Sequence, residues 1–276
     1  MRTPINERII NIEGVHNIRD LGGIEGLDGR RIKPDRLIRS SRLIQMGEDG
    51  FRYFKKINLT TILDLRTAYE AAKRPNPVIE GVKTYSISVL DEKADTTNAT
   101  YGMLAGAVSE EEALVKLLMG GFTMSSVYLD FVKQEHAMAG MKQALELIAA
   151  QPEGEAILWH CNGGKDRTGT LTLFLLTILG ADRTDIWEDF EQTNVSFADE
   201  IARLKAVAAQ YTDDERVSRE MESIAGVSRA NMQGALDFID AQYGSLMNYI
   251  RNAIGITDET IETIRNKYLE GGQENE

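Results

Sequence analysis

The chain has 276 residues, 42% hydrophobic and 27% charged, with a net charge of −12, which suits a single folded globule with a sizeable core and gives no general attraction to nucleic acid or an anionic membrane surface. Its longest strongly apolar run, Leu171 to Leu179, is too short to span a bilayer, and the start MRTPINERII lacks a secretory-signal pattern, so neither a transmembrane segment nor a nucleic-acid partner is expected and a cytoplasmic location is the default. One cysteine permits no intrachain disulfide, and one cysteine with three dispersed histidines makes a poor structural zinc site.

In chain order, residues 1–25 read as irregular, ending in a turn at Gly22-Gly23. A short extended piece follows at Arg36 to Arg39, then a helix over Glu48 to Ile57, with Phe51, Phe54 and Ile57 at helical spacing. Thr60 to Leu65 is β-branched and apolar, as a buried strand should be. Pro75 and Pro77 break the chain before a second strand at Val82 to Val89. Residues 91–109 show no periodicity and read as a mobile loop. Helices are expected at Glu110 to Met119 and at Ser126 to Ala150, the latter with Val127, Phe131, Met138, Met141, Leu145 and Ile148 on one face. Ala156 to Trp159 is a short apolar strand and Arg167 to Leu179 an apolar helix. Everything after Thr184 reads as helical. Thr257 suits an N-cap, with Asp258 and Glu259 in the first turn. Strands alternating with helices predict an α/β fold, a central mostly parallel sheet flanked by helices, as one domain over 1–276. The extra helices at 196–240 form a possible lid, and 270–276 a flexible tail.

The chemistry concentrates between the strand at 156–159 and the following helix. Five residues separate Cys161 from Arg167. A loop of that length can turn its backbone N–H groups toward one centre, and the helix adds its positive N-terminal end there. Gly163 and Gly164 permit the unusual backbone angles. Arg167 offers a planar fork to two phosphate oxygens. The same positive setting favours a thiolate, making Cys161 a nucleophile, and Thr168 can donate to that sulfur. Asn162, Gly163, Gly164, Lys165, Asp166 and Arg167 are thus the expected phosphate-binding residues. His160 reads as a support for the loop. A nucleotide-binding loop fails on spacing, because Gly164-Lys165 is followed by Asp166 and no glycine stands at 159. A purely structural corner explains the glycines but not Cys161, Lys165, Arg167 and Thr168 together.

HCNGGKDRTG (160–169) resembles the signature of cysteine-dependent phosphatases, His-Cys-five residues-Arg-Ser/Thr. It is most similar to bacterial tyrosine and dual-specificity phosphatases with a Gly-Lys-Asp-Arg-Thr-Gly loop, a group that includes secreted phosphatases of intracellular pathogens. NIRDLGG (17–23), LIRSSRL (37–43), TILDLRTAYE (61–70) and YGSLMNYIRNAIGITDETI (243–261) extend the resemblance along the chain. It implies a phosphatase-type α/β fold, a phosphocysteine intermediate and no metal or other cofactor. It also implies phosphorylated protein as partner, with phosphotyrosine as substrate and phosphoserine, phosphothreonine or phosphoinositides as further ones. Phosphoinositide phosphatases share the loop lysine but often carry a basic residue directly after the cysteine, where this chain has Asn162. A phosphoinositide phosphatase using the same loop and a non-catalytic phosphate-reading module are the alternative readings. Export of relatives without a classical signal leaves secretion open.

Hydrolysis needs a proton for the leaving oxygen, and no Trp-Pro-Asp loop is present. Three aspartates qualify. Asp166 lies inside the loop, Asp64 ends a predicted central strand, and Asp91 follows another strand. The resemblance favours Asp166 and Asp64. The structural alternative for Asp64 is an ion pair with Arg66 or a nearby arginine, and for Asp166 a loop-stiffening hydrogen bond. Arg66 itself is expected to bridge to Glu70, four residues on, or to meet a second anionic group. Arg19 and Asp20 read as a clasp at the Gly22-Gly23 turn.

Overall fold

The near-continuous apolar run of Ala156–His160 (β6) suits a strand covered on both faces, and this strand is the centre of the sheet, with all five residues buried. The computed structural model describes residues 3–91 and 110–271. After a helical turn α1 (Ile5–Arg8) come β1 (Arg19–Asp20), β2 (Arg31–Ile32), β3 (Leu37–Ser40), α2 (Glu48–Lys56), β4 (Leu59–Asp64), α3 (Ala68–Lys73) and β5 (Lys83–Ser86). The next helices are α4 (Glu110–Met119), α5 (Met124–Lys133) and α6 (Glu135–Ala150). Beyond β6 the chain is helical: α7 (Asp166–Ile178), α8 (Arg183–Ser196), α9 (Ala198–Tyr211), α10 (Glu215–Ala225), α11 (Arg229–Tyr243), α12 (Leu246–Tyr249) with a π-helical turn at Ile250–Ile254, and α13 (Asp258–Tyr268). A last short strand, β7 (Leu269–Glu270), pairs antiparallel with β2.

The main sheet has the order β1-β3-β6-β4-β5, parallel except for β1. This is the expected α/β fold. Period-two alternation divides the core: Ile157 and Trp159 of β6 point into the large cluster with α6 and α7, while Ala156 and Leu158 join Phe54 and Ile57 on the other face. A third, smaller cluster joins α4, α9 and α10 through Val115, Leu118, Leu204, Val217 and Met221. Among the described residues no single helix is long and apolar enough to cross a membrane.

Three expectations change. The single helix over Ser126 to Ala150 is two helices, with Gln134 extended between them at φ −79° and ψ 130°. The break is stabilised from outside the segment: the buried Tyr249 hydroxyl donates to the Val132 carbonyl at 3.0 Å, satisfying an acceptor that local periodicity cannot see. Glu270, placed in a frayed tail, is paired in β7; 272–276 lie outside the described residues, as do 92–109 of the expected mobile loop. The irregular 1–25 contains α1 and β1. Thr257 caps α13 as expected, accepting from the Thr260 N–H.

Candidate active site

Cys161 follows the carboxyl end of β6, and α7 begins five residues later. Ligands bind at that end of an open α/β sheet. The turn between them depends on Gly164, whose φ is +65° and whose missing Cβ would lie 2.2 Å from the Ser40 carbonyl. A side chain there is excluded on both counts. The loop is thereby pressed against the end of β3.

Beneath the loop lies a buried polar layer. Arg39 donates to the Gly164 carbonyl at 2.8 Å, and Asn17 donates to the carbonyls of Gly163 and Gly164 at 3.2 and 2.9 Å. The carbonyls of Gly163 and Gly164 are thereby held on the side of Asn17 and Arg39. Asp189, from α8, anchors the layer. It accepts from Arg39 Nη1 at 2.5 Å and from Arg19 Nε at 2.8 Å, and pairs with Arg8 at 3.8 Å. Burial opposes the Asp189 charge, but Arg19 and Arg39 outweigh it and hold the carboxyl well below its usual range. Burial, with Arg19 second, pulls Arg39 down to about 10. Asp189 is thus shared by Arg19 and Arg39 beneath the loop, while Arg8 also feels the charges of Glu188 and Asp185.

Glu70 fixes Arg167. Arg167 donates from Nη1 to Glu70 Oε2 at 2.6 Å and from Nη2 to Oε1 at 2.9 Å, and Asn162 Nδ2 also donates to Oε1. Glu70 is itself held by the capping box that opens α3, in which Thr67 Oγ1 accepts from the Glu70 N–H and Glu70 Oε2 from the Thr67 N–H. Burial works against both charges. The hydrogen bonds prevail, keeping Glu70 low and Arg167 high in pKa. The guanidinium is therefore fixed before any anion arrives.

His160 and Asp64 form a second buried group. Asp64 Oδ1 accepts from the Arg66 N–H and Nε at 3.1 and 2.8 Å. Its Oδ2 accepts from Arg66 Nη2 at 2.6 Å and Asn76 Nδ2 at 3.0 Å. All four acceptor positions of the carboxylate are filled. Asn76 Oδ1 accepts from Arg66 Nη2, so its amide nitrogen faces His160 Nε2 at 3.0 Å and donates to it. The imidazole proton then sits on Nδ1, which donates to the Cys161 carbonyl at 3.0 Å. Burial lowers the pKa of His160, in keeping with this neutral tautomer.

Above the loop, Asp166 takes two bonds. Tyr128 of α5 donates to Oδ1 at 2.8 Å and Lys165 Nζ to Oδ2 at 2.7 Å. Lys165 also reaches the Ser223 carbonyl of α10 at 3.5 Å. The Thr168 hydroxyl is buried and has no hydrogen-bond partner among the described residues.

Residues 10–270 match the family model described as "Tyrosine phosphatase family". The chain belongs to the tyrosine phosphatase family. It is 28% identical to the "Triple specificity protein phosphatase PtpB" of Mycobacterium tuberculosis over 94% of this chain and 98% of that protein. It is 26% identical to a "Tyrosine-protein phosphatase" of Nostoc commune, over 87% of this chain and 76% of that one.

In this phosphatase, Cys161, Asn162, Gly163, Gly164, Lys165, Asp166, Arg167 and Thr168 form one contiguous loop and helix start, whereas Asp64 is turned to Arg66 and Asn76. Arg66 pairs with Asp64 rather than with Glu70, because it precedes the Thr67 cap and so lies off the helix that would give four-residue spacing. Arg19 spans to Asp189, and Asp20 accepts from the N–H groups of Gly22 and Asp35, the latter alone acting at the turn. Burial raises the Asp20 pKa to about 6. Asp91 stands beyond β5 at the end of the first described stretch. Glu70, Asp189, Arg39, Asn17 and Tyr128 are the supports that sequence reasoning missed. Only Glu70 carried a local signal, the Thr-Ala-Tyr-Glu capping box.

Proposed function

We propose that this phosphatase hydrolyses phosphomonoesters through a phosphocysteine on Cys161, with phosphotyrosine as the main substrate and phosphoserine and phosphothreonine also accepted. The observation that carries this is the Arg167 fork, held by both Glu70 oxygens in the turn that follows Cys161. Pre-oriented donors of this kind stabilise charge that develops at phosphorus without reorganising during reaction. The Cys161 thiolate attacks phosphorus. The bond from phosphorus to the leaving oxygen breaks, and that oxygen takes a proton from the Asp166 carboxyl. The Asp166 carboxylate then removes a proton from water as the water attacks phosphorus. The sulfur–phosphorus bond breaks, restoring the thiolate and releasing inorganic phosphate. Thr168, with an otherwise unsatisfied hydroxyl, donates to the leaving sulfur.

Asp166 accepts from Tyr128 and Lys165, yet is preferred as the acid because it adjoins Arg167 in the loop and keeps acceptor positions open, while Asp64 has all four filled and is locked as an anion: burial would raise its pKa, but the Arg66 hydrogen bonds hold it low. The triple specificity in the Mycobacterium relative's name supports a broad range, and phosphoinositides are the alternative substrates for the same loop.

The lid reading narrows to α9 and α10. These two helices share their own apolar cluster with α4, whereas Met232, Leu236 and Ile239 of α11 belong to the main core. The segment leaves and returns at one point, where Asn194 Nδ2 donates to the Val227 carbonyl and its Oδ1 accepts from the Val227 N–H. Lys165 touches the cover at Ser223.

Hydrolysis of p-nitrophenyl phosphate in the presence of a chelator tests the reaction. Wild type should turn over and Cys161→Ser should not; equal rates contradict the mechanism. Phosphotyrosine, phosphoserine and phosphoinositide substrates compared side by side then rank the specificity.

A further inference from the structure

Charge pairing around the loop is uneven. Arg167 is matched by Glu70, Lys165 by Asp166 and Arg66 by Asp64. Arg66 is further committed to the Arg74 carbonyl and to Asn76, so it has little capacity for another anion. Two neighbouring arginines remain. Neither Arg42 nor Arg74 has a hydrogen-bonded or ion-paired side chain among the described residues, although the chain as a whole carries −12.

Topology puts both at the mouth. Strands β3, β6 and β4 are adjacent and parallel, and their carboxyl ends lead to Arg42, Cys161 and Arg66 respectively. The Arg42 N–H donates to the Asn162 carbonyl at 3.0 Å, one residue past the nucleophile. Arg74 closes α3, one turn beyond the Glu70 that grips Arg167. Arg42 is half-buried, and after burial itself the influences lowering its pKa are the charges of Arg74 and Arg66. Cations brought together without a carboxylate repel one another, and an added anion relieves that cost. Guanidinium forks suit phosphate oxygens best.

We propose that Arg42 and Arg74 form a second anion subsite beside Cys161, which takes a second phosphate carried by the same substrate molecule. This rests on the phosphomonoesterase reading above. The scissile phosphate sits in the loop, and the second group lies across Asn162 between the ends of β3 and α3. Such a substrate is either a peptide with two nearby phosphorylated residues or a soluble inositol bisphosphate; both present the same paired dianions.

The test compares kcat/KM for singly and doubly phosphorylated versions of one peptide, and separately for an inositol mono- and bisphosphate. Wild type should favour the doubly phosphorylated member of at least one pair, and which pair identifies the source. Arg42→Gln should shrink that preference roughly tenfold, mainly through KM, and Arg42→Lys should restore part of it. Arg74→Gln, at an exposed position, should act in the same direction even if Arg42→Gln folds poorly. A wild type without preference in either pair, or a preference unchanged in both glutamine variants, overturns the subsite. If single phosphates are still hydrolysed and Cys161→Ser is inactive, the phosphatase reading survives that result; if Cys161→Ser is active, the phosphatase reading is what fails.

Discussion

The two sides of the loop from Cys161 to Arg167 are built differently. Below it, Asn17, Arg19, Arg39 and Asp189 bring three distant parts of the chain together under the loop through bonds of 2.5–3.3 Å, all buried. Above it, α9 and α10 have a small core of their own; Lys165 reaches the Ser223 carbonyl of α10 at 3.5 Å, and Glu220 of α10 accepts from the Met124 N–H of α5 at 2.8 Å. The underside is fixed, since buried polar layers persist only when satisfied. The upper side is a separate small cluster, which the proposed lid role would let move apart from the main core. The proposed mechanism thus sets a buried polar layer on one side of Cys161 and a separately packed helix pair on the other.

The sharpest way to break this contrast is to remove Asp189. Asp189→Asn leaves the buried Arg19 and Arg39 without the carboxylate they share and should cost about 3–5 kcal/mol of stability at neutral pH. Because the native Asp189 pKa is depressed, the unfolded state binds the extra proton as pH falls. The stability this group contributes is full above its ordinary value of 3.8 and is lost below it. Denaturant melts of the two proteins should therefore converge as pH drops below 3.8. A constant difference across pH would show that the charge is not what Asp189 contributes.

Next in size is the division of labour between two aspartates. Asp166→Asn should lower kcat on an alkyl phosphate by on the order of a hundredfold, with much less effect on p-nitrophenyl phosphate, whose leaving group needs little proton. Asp64→Asn should instead lower the melting temperature, since it sits with Arg66 and Asn76. The reverse outcome would exchange their roles.

A smaller effect tests the cover. Amides of α9 and α10 should exchange with solvent faster than those of β6 and α7, and bound orthovanadate should slow them several-fold. Protection already equal in the free protein would mean the two sides are alike. Smallest of all, His160 should remain neutral with its proton on Nδ1 down through pH 6.5, because burial depresses its pKa; a nitrogen NMR titration showing protonation there would contradict the Asn76 bond.

The loop was legible in the sequence because its function depends on residue types at fixed spacing: Cys161, Gly164, Lys165, Asp166 and Arg167 lie within seven positions. The sheet was legible because β4 and β6 are short apolar runs between turn signals. The supports were hidden by distance. Asp189 is 170 positions from Arg19, and Tyr128 is 38 from Asp166. Nothing local distinguishes either from an ordinary helix residue. The division of 126–150 into two helices was likewise invisible, since Val127, Phe131, Met138 and Met141 keep helical spacing across Gln134 while the decisive donor comes from Tyr249.

The most direct test of the whole account is to trap the covalent intermediate. Wild type mixed with a phosphotyrosine peptide and acid-quenched within one turnover should carry a single phosphate, mapped by mass spectrometry to Cys161, and Cys161→Ser should carry none and release no phosphate. Turnover without a phosphorylated Cys161, or phosphate on another residue, would contradict it.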